Sequence, residues 1–291
     1  MSKGWSARVP APLLVVVAIA SVQTGSAVAR TLFDDLGAPG ITLLRLGIAS
    51  VLLLVVLRPA VTTWSAQSWR AAAALGVVMA AMNSVFYLSL RTVPLGVAVT
   101  VEFIGPLTLS LVQTRRLLDL MWAVLAALGV VLLGVDQTSG IPLSGLLLAL
   151  TAGLLWAGYI LASARLGRLL PGIDGLSVAL GVGALLVLPF GVSGAAAAFT
   201  HPSWLVAATA VALLSSIIPY GLELTALRRL PTRVFGILMS GEPAAAAIAG
   251  FLVLGQHLQP REWVALVLVS AASVGVTVGR RAGGLPTQPL E

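Results

Sequence analysis

Apolar runs of about twenty residues, the length that crosses a bilayer as a helix, recur from one end of this 291-residue chain to the other. Nothing else constrains the fold as much. In hydrocarbon every backbone N–H and C=O must find its partner inside the protein, which leaves helices or a closed barrel, and runs of this length are helical. Hydrophobic residues make up 58% of the chain and charged residues only 9%, against roughly 25% charged in a soluble protein. The chain therefore reads as an all-α membrane protein, one polytopic bundle and not a soluble domain with an anchor.

Ten transmembrane helices are expected, at about 11–30, 38–57, 70–91, 94–113, 119–135, 142–163, 174–192, 203–224, 232–254 and 262–279. Short turn and charge signals separate them, including DDLGAPG, RPAVTTWSAQSWR, RLGRLLPG and SGAAAAFTHPS, so neighbours should pack as antiparallel hairpins. The first run is too long for a signal-peptide core and ends in AVARTLFDDLG without a small-x-small cleavage site, so it is expected to be a retained span. The chain has no cysteine, which excludes disulfides and thiolate metal sites, and its two histidines, His201 and His257, fall in expected loops. No metal or other cofactor is implied.

Short cytoplasmic loops carry the excess of Lys and Arg in membrane proteins. With the N-terminus inside, ten helices put Lys3, Arg8, Arg58, Arg70, Arg115, Arg116, Arg165, Arg168, Arg228, Arg229, Arg233, Arg280 and Arg281 on the inner side and only Arg30, Arg91 and Arg261 on the outer. Both termini are thus expected in the cytoplasm, in a multi-pass protein of the plasma membrane. The net charge of +7 is this asymmetry. It marks the lipid bilayer as partner and not nucleic acid, for which no basic stripe with interleaved aromatics exists.

A shift of 137 residues aligns LRTVPLGV at 90–97 with LRRLPTRV at 227–234 and brings Pro106 onto Pro243. The hairpin between helices three and four thereby maps onto that between eight and nine. The expected units are 1–137 and 138–291, the second with a short C-terminal tail. Five helices is an odd number, so the halves must insert with opposite orientation, the inverted repeat that secondary transporters place around a midplane site.

Three charges lie near mid-membrane depth. Arg45 is the eighth residue of the second expected helix, Glu102 the ninth of the fourth and Glu242 the eleventh of the ninth. Each carboxylate lies close before a proline, in TVEFIGPLTLSL and LMSGEPAAAAIAG. A charge at that depth costs on the order of 2.5–3.5 kcal/mol on insertion scales and usually marks a pathway. Charges of both signs at one depth suit a ligand that itself carries both, a guanidinium for a carboxylate and a carboxylate for an ammonium. Each residue also has a structural alternative. Glu102 can hold a helix through an ion pair, Glu242 can satisfy backbone groups around Pro243, and Arg45 can serve as counter-ion to a glutamate. Glu223, five residues before Arg228, reads first as an interfacial ion pair and second as a coupling group. Gln23 and Ser26, Asn83 and Tyr87, Trp156 and Tyr159, and Tyr220 are candidate cavity-lining residues, with packing or interfacial anchoring as the alternative. Small-xxx-small spacings such as Ala246 and Gly250 point to close helix packing.

The strings TVPLGVAVTVEFIGPL, MNSVFYLSL, LPTRVFGILMSGEPA and SVQTGSAVARTLFDDLGAPGITLLRL resemble the EamA-type drug/metabolite transporters, and within them the threonine/homoserine exporters, over about residues 11–280. The resemblance implies two inverted five-helix repeats and proton-driven efflux of small neutral amino acids. Members commonly carry a glutamate after the glycine that ends the ninth helix, where this chain has Gln256, so no role is carried over to that position. Other metabolites or drug-like cations are the alternative cargo within the same fold. The oligomeric state is not readable.

The chain lacks a GxxxxGK[ST] phosphate loop, and its one lysine, Lys3, lies in the N-terminal tail, so ATP hydrolysis is not expected. A buried carboxylate that gains and loses a proton as access alternates makes proton antiport the matching coupling, with Glu102 or Glu242 as carrier. The string GVSG at 191–194 fits the GxSG nucleophile pattern of intramembrane proteases, but no histidine lies in any expected helix. The chain is not expected to be an enzyme.

Overall fold

The structure, a computed structural model, describes residues 9–112, 117–134, 141–170, 172–227, 229–230, 235 and 238–279. Among these there are helices and turns and no strand. The helices are α1 (Ala11–Thr31), α2 (Phe33–Leu57), α3 (Ala66–Ser89), α4 (Leu95–Glu102), α5 (Ile104–Val112), α6 (Leu117–Gly134), α7 (Leu143–Leu169), α8 (Asp174–Ala197), α9 (Pro202–Ala212), α10 (Ile218–Leu227), α11 (Glu242–Leu254) and α12 (Pro260–Gly279). A π-helical turn, Leu213–Ile217, joins α9 to α10.

Six of the described helical stretches are long and apolar enough to cross a membrane: α1, α2, α3, α7, α8 and the continuous run Pro202–Glu223. The fourth expected span is apolar but divides at Phe103 into α4 and α5. Of the ninth, the helix beginning at Glu242 is described, while Pro231, Thr232, Arg233 and Val234 lie outside the described residues. So do Lys3, Arg8, Arg115, Arg116, Arg228, Arg280 and Arg281, on which much of the charge asymmetry rests.

Local chemistry sets the boundaries. Ser65 caps α3, its hydroxyl accepting from the Ser68 N–H at 3.2 Å, so the helix begins four residues earlier than its apolar run. At α12 the Gln259 N–H donates to Glu262 Oε2 at 2.7 Å, the N-cap to N3 arrangement of a capping box. Gly37 adopts φ +69°, so Phe33–Leu36 forms a separate turn and the second span proper starts at 38, as expected. Two helices outrun their expected ends, α7 to Leu169 and α8 to Ala197. RLGRLL and GAAAA continue those helices because neither holds a breaker before Pro171 or the turn at Phe199 and Thr200.

Small residues bring the helices together. α2 lies along α8, α3 along α7 and α8, α6 along α12, and α1 against α10 and α11. A Cβ on Gly40 would stand 3.0 Å from Gly194 Cα, and one on Gly191 would overlap the Pro39 carbonyl. The glycines of GVSG are therefore a packing ridge that lets two backbones touch, and Ser193 between them is exposed. Long apolar side chains such as Val56, Phe190 and Leu252 point outward, each more than 70% exposed, as a lipid-facing surface requires.

Candidate functional site

Both mid-depth glutamates sit where a helix breaks. Glu102 is the last residue of α4, Phe103 the break, and Pro106 lies in the first turn of α5. Glu242 is the first residue of α11, with Pro243 next. A proline is tolerated in a first turn because the N–H it lacks has no helical acceptor there. Glu102 is 9% exposed and Glu242 6%. Pro106 leaves the Glu102 carbonyl without its i+4 donor. That carbonyl faces Gly153 of α7, where a Cβ would overlap it, and a Cβ on Gly105 would in turn overlap the Gly153 carbonyl. The break is thus seated on α7 by two glycines, with Phe103 edge-on to Trp156, ring centroids 5.5 Å apart.

Arg45 makes no use of the glutamates for its hydrogen bonds. Nε donates to Ser216 Oγ at 3.1 Å, Nη1 to Tyr87 Oη at 3.1 Å and Nη2 to the Ser215 carbonyl at 2.7 Å. The Ser215 carbonyl is free because Pro219, four residues on, has no N–H. In the π register the same missing donor would have served Leu214, whose carbonyl accepts from Ser21 Oγ at 2.8 Å. Two carbonyls before Pro219, those of Leu214 and Ser215, are thus satisfied by side chains from α1 and α2. This is the compensation a proline inside a membrane helix requires.

The remaining candidates divide. Tyr87 is fully buried, holds Arg45 and stacks near Phe33, 5.5 Å between centroids. Asn83 donates to the Met79 carbonyl of its own helix at 2.8 Å. Tyr159 and Tyr220 pair across α7 and α10 at 6.2 Å between rings, and the Tyr159 hydroxyl is in hydrogen-bonding range of Ser163 and Tyr220. Gln23 is buried with its Oε1 unpartnered. Ser26 is buried beside it on α1. Glu102 lies in the field of Arg45, Glu242 in that of Glu223 and Glu102, and Tyr220 in that of Arg45, Glu223 and Tyr87. One electrostatic layer so connects α2, α3, α4, α7, α10 and α11. Arg228, the expected partner of Glu223, lies outside the described residues.

Five contributors are absent from the sequence reading: Ser215 and Ser216 against Arg45, Ser21 beside them on the Leu214 carbonyl, and the glycine pair under Glu102. A signal for the first group was present, since a serine doublet followed by a proline, SSIIP, inside an apolar span announces freed carbonyls. Gln256 also acquires a role. Its Oε1 accepts the Leu95 N–H at 2.9 Å, capping α4 from the loop after α11, a task that a glutamate at this position performs equally well.

Comparison with known proteins places this architecture. Residues 143–278 match the EamA-like transporter family. The chain is 43% identical over 270 residues, 91% of its length and 90% of the relative's, to the threonine/homoserine exporter RhtA of Escherichia coli strain K12. It is 42% identical over 269 residues to the protein of the same name in Salmonella typhimurium strain LT2, with the same coverage of 91% and 90%. An uncharacterized protein of Pseudomonas aeruginosa is 32% identical over 271 residues, 86% of this chain and 88% of that one. A protein of known crystal structure, 16% identical, superposes with a TM-score of 0.60 over 94% of this chain and 99% of its own, a likeness of fold alone. With apolar helices packed by glycine, charges held in their midst and relatives matched over nine-tenths of its length, the chain belongs to the EamA-like transporter family and is a multi-pass membrane transporter, not an enzyme.

Proposed function

We propose that this protein exports threonine, homoserine and similar small neutral amino acids across the inner membrane by proton antiport with alternating access. The observation that carries the cargo is the 43% identity over 91% of the chain to relatives named for threonine and homoserine export. The carriers we assign are Glu102 and Glu242, with Arg45 as the fixed positive charge of the layer. Glu102 lies in the field of that guanidinium and Glu242 in the field of Glu102, so two buried carboxylates stand to one guanidinium, an excess of negative charge that a substrate ammonium or a proton can neutralise in turn. Three of the five N–H groups of Arg45 are engaged, and the two that remain suit a substrate carboxylate. Tyr87, Asn83, Trp156, Tyr159, Tyr220 and Gln23 line the path, and Glu223 lies at its margin.

The same reading assigns ten spans in two inverted repeats, 1–137 and 138–291, with both termini in the cytoplasm. The packing supports it by its symmetry. Moving each span five places on turns the contact of α3 with α7 into that of α10 with α1, and the contact of α4 with α7 into that of α11 with α1. The pairs α2 with α8, α4 with α11 and α6 with α12 map onto themselves.

Two experiments test the proposal. Deletion and overexpression should respectively raise and lower the intracellular level of threonine and homoserine, and a profile in which no amino acid responds rejects the cargo. In proteoliposomes an imposed pH gradient should drive transport, with Glu102→Gln losing that drive while retaining threonine–threonine exchange. Indifference to the gradient, or normal transport by both Glu102→Gln and Glu242→Gln, rejects antiport through these groups.

A further inference from the structure

Three buried side-chain atoms among the described residues have no hydrogen-bond partner: Gln23 Oε1, Ser215 Oγ and Ser270 Oγ. An unpaired buried acceptor is costly, so each needs a reason. Ser215 Oγ is wedged against α1, where a Cβ on Gly25 would overlap it, and no ligand fits between. Ser270 belongs to α12, which packs on α6, α4 and α5, apart from Arg45. Gln23 differs from both. It lies one turn beyond Ile19, on the face of α1 whose apolar cluster takes in Met239 and Ala245, three residues before and three after Glu242. It is only 4% exposed, and its free Oε1 is a neutral acceptor.

Resting on the cargo assigned above, we propose that Gln23 selects hydroxylated substrates, its Oε1 accepting the hydrogen bond of the cargo's side-chain hydroxyl. Threonine and homoserine are the same four-carbon skeleton, 2-aminobutyrate, with a hydroxyl on Cβ in one and on Cγ in the other. Their ammonium and carboxylate are common to all amino acids and cannot single them out. The hydroxyl can. A glutamine side chain has enough rotatable bonds to meet it at either carbon. An acceptor buried for that purpose also works against 2-aminobutyrate, which would leave it unpaired, and discrimination of this kind exceeds what a difference in apolar contact supplies.

The test is transport of labelled threonine, homoserine and 2-aminobutyrate by the full chain in proteoliposomes. The wild type should move both hydroxylated cargoes at least about tenfold faster than 2-aminobutyrate. Gln23→Leu, which removes the acceptor and fills its place with an apolar group, should abolish that preference by slowing threonine and homoserine more than 2-aminobutyrate. Gln23→Asn keeps an acceptor but draws it back by one methylene, and should slow threonine, with the nearer hydroxyl, more than homoserine. If Gln23→Leu keeps the wild-type preference, whether at the wild-type rates or with all three slowed alike, the inference is overturned while the cargo assignment stands. A wild type that moves neither threonine nor homoserine overturns the cargo assignment and this inference with it.

Discussion

Arg45 is costly to bury and is held by three oxygens, none of them a carboxylate. Its removal should therefore act first on structure. Arg45→Ala leaves the Ser215 carbonyl, Ser216 and Tyr87 without their donor, and an orphaned buried carbonyl costs about 1–3 kcal/mol. Thermal unfolding in detergent should show a loss of that size, whereas Tyr87→Phe, which removes one hydrogen bond and keeps the ring, should cost about 1 kcal/mol. A variant of Arg45 as stable as the wild type would mean that the guanidinium is not the strut its bonds describe. At Gln256 the acceptor and not the charge matters. Gln256→Leu should destabilise by about 1 kcal/mol through the uncapped α4, while Gln256→Glu should be neutral or better because a carboxylate also suits a helix N-terminus. The same unfolding measurement separates the two.

At the scale of elements, the breaks carry the chemistry. The π turn runs up to Pro219, which cannot donate, and it is stabilised from outside by Ser21 and Arg45. Pro219→Ala restores the missing N–H, so the turn can close on itself and compete with those side chains. Hydrogen exchange at residues 214–219 should slow, and transport should fall although the protein is no less stable. Faster exchange with unchanged transport would remove the π turn from the mechanism. The other break rests on Gly105 and Gly153, whose substitution by alanine sets a Cβ into backbone. Gly153→Ala should destabilise by about 1–3 kcal/mol, the usual cost of overpacking. Gly158→Ala on the same helix is the control, since its Cβ would meet Val78 Cγ1 at a comfortable 3.7 Å. The yield of monodisperse protein in detergent distinguishes them.

At the scale of the whole molecule, contacts between helix ends sort them into two sides. Arg30 donates to the Leu90 carbonyl at 2.7 Å and so joins the last turn of α1 to the residue that follows α3. Gln256 joins the start of α4 to the end of α11. Thr63 and Trp64 share a recess with Leu169 and Asp174, at the ends expected to face the cytoplasm. Because the chain has no cysteine, a single introduced one reports its side without ambiguity. An impermeant maleimide applied to intact cells should label Thr200→Cys and leave Thr63→Cys untouched until the membrane is opened, and the reverse pattern would invert the topology. Membrane class and candidate charges were legible in the sequence because the cost of burying apolar or charged groups depends on residue type, and runs of residues of one type are local. Arg45, Glu102, Glu242 and Gln23 could be picked out as polar residues at depth, and the family followed from strings around them. What the sequence did not reveal was which oxygen each donor would find. Pro219 announced that carbonyls would be orphaned but not that α1 and α2 would answer them, and Pro106 marked a break but not that Gly153 would receive it. Those outcomes rest on contacts of about 3 Å between segments more than a hundred residues apart in several cases, and hydrogen bonds and steric fit at that range are set only when the helices are packed.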